Sequence, residues 1–125
     1  MNKLVLTDGQ VINVITVNGE GRFIQNANRD TLIIRVPVDE LNLDELKNIF
    51  KDKALIDSMK YLNEENEELN TMEHYTMYIS CSNVSKEVRL EPGVIAPPTY
   101  EEYNQVEIAQ VTYIELMLEQ LLGIK

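Results

Sequence analysis

One cysteine and one histidine bound the covalent chemistry open to this chain. Cys81 lies in the apolar run "MYISCSNV", and His74 lies seven residues before it. A thiol nucleophile needs a base within hydrogen-bond reach. A histidine at the start of the same strand-like run is poorly placed to be that base. Cys81 therefore reads as a mostly buried free thiol, not as a nucleophile. The second candidate is acidic: "EENEE" puts four glutamates into positions 64–68. A calcium loop needs oxygen ligands at set offsets and a glycine for its sharp bend. This run has neither, and it reads as the solvated tip of a hairpin. "NGEGR", at 18–22, lacks the lysine and the spacing of a phosphate-binding loop. No Ser/His/Asp set stands out, and there is no tryptophan for a ligand platform. The expectation is a protein that is not an enzyme, with no catalytic residues, no metal and no cofactor.

The elements that would carry such residues must be built from 125 residues, enough for one domain with a core of its own. With 44% hydrophobic and 26% charged residues, the chain has the composition of a globular protein. Twenty-one acidic against eleven basic side chains give a net charge of −10. That balance opposes a phosphate backbone and an anionic membrane surface, and it keeps the protein soluble until a partner is met. A lone cysteine allows no internal disulfide. The N-terminus has no signal-peptide pattern, and no apolar run reaches the length of a membrane span. No nucleic acid and no membrane are expected as partners.

From Lys3 to Gln25 the residues alternate and are rich in β-branched side chains. Asp8-Gly9 and Asn18-Gly19 are hairpin dipeptides, which places strands at 3–7, 10–17 and 21–26. "NANRD" reads as a turn before a strand at 31–36 that Pro37 ends. "NLDELKNIFKDK" then switches to helical period, with Leu43, Leu46, Ile49 and Phe50 on one face. Asn42 and Glu45 fit a capping box, and Lys51 and Lys53 suit the far end of a helix at 43–51. "ALIDSMKYL" reads as a strand, and further strands follow at 74–83 and 86–91. Three prolines in "EPGVIAPP" mark a linker at 92–98. The expected fold is α+β: an antiparallel β-sheet domain over 1–91 with one short packing helix, and a separate C-terminal helix over 99–125. Thr99 and Glu102 would cap that helix, which runs to about 122, where Gly123 ends it.

The helix is unusually apolar: eleven of the seventeen residues from Val106 to Leu122 are hydrophobic. Placed at 100° per residue, they cover an arc of about 240°, more than twice what docking on one sheet face requires. Thr112, Glu115 and Glu119 form the only coherent polar stripe. Two short seams can be drawn, Val111–Ile114–Leu118–Leu121 and Val106–Ala109–Tyr113–Leu116. Either the helix is the core helix of its own domain, or it packs on neighbours in an assembly. Its place behind a proline-rich linker favours assembly. The expected interface is Val106, Ala109, Val111, Tyr113, Ile114, Leu116, Met117, Leu118, Leu121 and Leu122, and the expected state is a homo-oligomer.

"NANRDTLIIRV", "VDELNLDELKNIF" and "PPTYEEYNQVEIAQVTYIELMLEQL" together resemble small proteins encoded in the tail and baseplate modules of phages of Gram-positive bacteria. The resemblance runs from about Asn26 onward, and Asn28-Arg29-Asp30 is its closest part. Members pair a short β-rich domain with a proline-led C-terminal helix. The resemblance implies a structural or accessory component of a virion, made in the host cytoplasm and located in the tail region. Its partners would be itself and other phage structural proteins. It brings no catalytic or ligand residues. The alternative is a chaperone-like or regulatory binding module that holds a partner through the same helix.

Overall fold

Alternation sets the strands, and two kinds of turn set their lengths. β1 (Asn2–Val5) and β2 (Val11–Val14) pair antiparallel through Asp8-Gly9. Leu6 O accepts from Gly9 N at 3.0 Å, and Gly9 has φ +91°. This is a longer turn closed by a left-handed glycine, not the two-residue form, which needs positive φ at Asp8 as well. Asn18-Gly19 makes no turn. Both residues lie inside β3 (Thr16–Ile24), opposite Ile33 and Leu32 of β4 (Ala27–Pro37). The reversal falls instead on Gln25 and Asn26, at φ 48° and 63°, between the paired residues Ile24 and Ala27. β4 thus starts inside "NANRD" and ends at Pro37, as the missing N–H requires.

α1 (Leu43–Lys51) has the expected bounds. Asn42 Oδ1 accepts from Glu45 N at 2.8 Å, and Leu46 and Phe50 are fully buried. The strand expected over "ALIDSMKYL" is divided. Asp52 caps the short helix α2 (Lys53–Ile56) through Ala54 N at 3.1 Å, and only then does β5 (Ser58–Leu62) begin. The glutamate run lies in the turn between β5 and β6 (Glu68–Glu73), held by Asn63 Oδ1, which accepts from Glu65 N and Glu67 N. β7 (Met77–Val88) is one strand where two were expected, and His74 sits before it at φ 65°.

The structure, a computed structural model, describes residues 1–88, Gly93 and 99–122. The end of the strand expected at 86–91 and the proline-rich linker, Gly93 excepted, lie outside the described residues. Beyond them the expectation of one long helix is overturned. Residues Thr99–Ala109 form a strand, β8, and only Tyr113–Leu122 form a helix, α3. The physical reason is the period. Asn104, Val106 and Ile108 are buried, with Gln105 and Glu107 alternating to the other side. That is a two-residue repeat, which a sheet accepts and a helix does not.

The fold is mixed α+β, about 54% strand and 20% helix, with two four-stranded antiparallel sheets. Their orders are β2-β1-β5-β6 and β3-β4-β8-β7. β8 lies between β4 and β7, pairing Ile34 with Val106 on one side and Cys81 with Val106 on the other. Dividing the chain into a 1–91 domain and a tail would therefore split one sheet and remove an interior strand. The core lies between the sheets: Leu4, Ile12 and Val14 from one, Ile34, Val36, Val106 and Ile108 from the other, with Leu46, Phe50 and Met59. Cys81 is only partly buried at the margin of this core, and burial pushes its thiol above the usual range. His74 faces elsewhere, with Nδ1 3.2 Å from Asp57 Oδ1.

Candidate functional site: the outward face of the C-terminal helix

α3 starts where β8 leaves its sheet. Gln110 N bonds to Asp30 O at 2.9 Å and Val111 N to His74 O at 3.0 Å, which fixes the connector. Thr112 then caps the helix. Its hydroxyl accepts from Glu115 N at 3.2 Å, and its own N–H donates to Glu115 Oε1 at 2.9 Å. This is a complete reciprocal capping box. The chain carries two Thr-Tyr-x-Glu segments, at 99–102 and 112–115, and the second is the one that starts a helix.

Glu115 does more than cap. Its carboxylate grips the Arg29 guanidinium in two places, Nη2 to Oε2 at 2.9 Å and Nη1 to Oε1. Arg29 is only 4% exposed. It also donates from Nε to Ile24 O at 2.8 Å and from Nη1 to Gln110 O at 3.2 Å. A buried guanidinium needs this degree of pairing to offset its lost hydration. The Arg29 bonds, with the Thr112 N–H second, hold the Glu115 carboxyl at about 2. One turn on, Glu119 Oε1 lies 3.9 Å from Lys53 Nζ, a partly exposed pair that adds little.

The polar side of α3 is thus the side turned to the rest of the protein. On the 3.6-residue wheel Glu115, Glu119 and half-buried Leu116 fall within about 100° of one another. Tyr113, Met117, Leu121, Ile114 and Leu118 fall on the opposite arc of about 140°. Those five are 75%, 42%, 77%, 70% and 50% exposed. A surface helix ordinarily buries its apolar stripe and wets its charges. Here the arrangement is inverted.

Of the residues expected at an interface, Val106 and Ala109 are not there. Both are completely buried in the sheet, because they belong to β8 and not to a helix. Val111, in the connector, and Leu116 are both half-buried. Leu122 is the last residue of α3. Tyr113, Ile114, Met117, Leu118 and Leu121 do come together on the open face. Phe23, 70% exposed at the tip of the β3–β4 hairpin, was not anticipated. With Gly21, Asp30, Val111 and Tyr113 it lines a cleft of about 380 Å³ beside the start of α3. Arg29 was not anticipated either, and Glu115 was expected only as part of the helix's polar stripe. The second Thr-x-x-Glu box was the available signal for Glu115; nothing local marks Arg29 as its partner. Among the described residues, no three His, Cys, Asp or Glu side chains stand together as a metal site. No described helix is long and apolar enough to cross a membrane. The chain matches no family model, no curated protein and no solved structure.

Proposed function

We propose that this protein is a non-enzymatic assembly subunit that joins its neighbours through the outward face of α3. One observation carries the reading: α3 is fastened to its own chain by Glu115 and Glu119 and turns five large apolar side chains to solvent. Burying such a side chain from full exposure is worth about 1.5–3 kcal/mol, and these five keep between 42% and 77% of their surface exposed, so a partner that accepts the face gains a substantial part of an interface from one helix. The partners are other copies of the chain or other structural proteins of the same particle. That the particle is a phage tail or baseplate rests on the resemblance to proteins of those modules. The proline-led helix of that group corresponds here to a strand followed by a shorter helix.

Leu118→Asp tests the interface. The side chain is half-exposed, so the free subunit is expected to fold normally by circular dichroism, while light scattering shows a smaller assembly or lost capture of a structural partner. Wild-type assembly retained in Leu118→Asp would refute the reading. A mass-spectrometric inventory of purified virions tests the particle: a structural subunit is present in fixed copy number, and a transient chaperone is absent.

A further inference from the structure

β3 is an outer strand of its sheet, and among the described residues nothing pairs with its free edge. Asn18, Gly19, Glu20 and Gly21 are exposed in a row, and Phe23 follows. An added Cβ at Gly19 or Gly21 would meet no atom within 4 Å. An exposed, glycine-rich edge of this length is a template for another strand. Its sequence says which strand.

The two-residue turn at Gln25-Asn26 makes Ile24 and Ala27 a hydrogen-bonded pair. Even-numbered residues of β3 therefore direct their backbone groups to β4. Val17, Gly19, Gly21 and Phe23 present theirs to the open edge. We propose that this edge pairs antiparallel with the β3 edge of a second copy, on a two-fold axis through Gly21. The axis makes Gly21 face Gly21 and Gly19 face Phe23 as hydrogen-bonded pairs, in phase with the groups that the edge offers. Between them Glu20 faces Arg22 of the second copy as a non-hydrogen-bonded pair, the kind that brings side chains closest.

Charge complementarity fixes the register. Within one chain Glu20 Oε2 already accepts from Arg22 Nη2 at 2.8 Å, and Glu107 Oε1 steadies the same nitrogen at 2.9 Å. The two-fold axis brings two such pairs together head to tail, so Glu20 and Arg22 alternate in sign across it, with a Glu107 beside each Arg22. Moving the axis to residue 20 sets glutamate against glutamate, and moving it to residue 22 sets arginine against arginine. On the other face the exposed Phe23 ring lies across Gly19 of the second copy, where the missing side chain leaves room. An aromatic ring set over a cross-strand glycine is a stabilising arrangement in sheets. The pairing joins two four-stranded sheets into one continuous sheet. It uses an edge on the opposite side of the strand from β4, and Leu118 of α3 is not among the residues it pairs.

The test is analytical ultracentrifugation of the full chain, with circular dichroism as the check of folding. The wild type is expected to dimerise. Glu20→Arg, at an exposed position, is expected to raise the dimer dissociation constant about tenfold or more, because two attractive pairs become repulsive. Arg22→Glu should do the same, and an equimolar mixture of the two variants should associate again as a heterodimer. A monomeric wild type overturns the proposal. So does a Glu20→Arg variant that dimerises like the wild type. If Leu118→Asp alone then abolishes association, assembly runs through α3 only. Two monomeric variants that fail to associate when mixed overturn the register.

Discussion

Arg29 and Glu115 decide how the last helix is held. Neither partner is replaceable by size alone. Glu115→Gln keeps the cap geometry but leaves a guanidinium with 1% side-chain exposure facing a neutral amide. The expected cost is about 1–2 kcal/mol, modest because the Glu115 side chain is itself 36% exposed and screened. Hydrogen exchange is expected to show the loss as faster opening of α3 with β4 and β8 unchanged. The pH dependence has a definite sign. A carboxyl held at about 2 against an ordinary 4.5 stabilises docking in full above 4.5, and that contribution falls away as pH drops from 4.5 toward 2. Far-ultraviolet circular dichroism across this window should show helix signal lost in the wild type, with a smaller pH-dependent change in Glu115→Gln. A pH-independent α3 would refute the assignment.

Elements were legible in the sequence where a single period ran between clear stops. α1 has the bounds that its apolar face, its Asn42 cap and its terminal lysines define. β4 ends at its proline. The failures at the C-terminal end share one cause. From Tyr103 to Leu121 a two-residue period passes into a helical one within a few positions, and both are rich in valine, leucine and isoleucine. Of the eleven apolar residues drawn on one wheel with an arc of about 240°, Val106, Ile108 and Ala109 belong to the strand. The five exposed apolar residues of α3 cover about 140°, narrower because half-buried Leu116 is not among them. The excess hydrophobicity that signalled an interface was thus partly sheet core, while Tyr113, Ile114, Leu118 and Leu121 remain outside. Asn18-Gly19 misled for a different reason: a glycine in an edge strand has the same local signature as a glycine in a turn. A chain ending at Glu91 lacks β8 and so leaves β4 and β7 unjoined. It is expected to give no cooperative unfolding transition in urea, whereas the full chain gives one. A cooperative transition in the shortened chain would show that the sheet closes without β8.

For the molecule as a whole, the place of β8 governs the order in which the structure can arise. β3 and β4 are neighbours in sequence and meet across a two-residue turn, so their hairpin costs little loop closure and can form within microseconds. β4 and β8 must find each other across more than sixty residues, from Pro37 to Thr99, before Val106 and Ile108 can meet the facing sheet. Pairing over such separations is slow. Until it happens, the open edges of β4 and β7 are available to the wrong chains. The same residues that give the native core its centre are then an aggregation hazard for a nascent or refolding chain. Pulse-labelled hydrogen exchange during refolding is expected to protect the amides of Thr16–Ile24 well before those of β8, and the yield of unaggregated folded protein should fall steeply as protein concentration rises in that interval. Simultaneous protection of both would mean that collapse brings β8 into place as early as the hairpin forms, and the chain would then spend no time with its central strand missing.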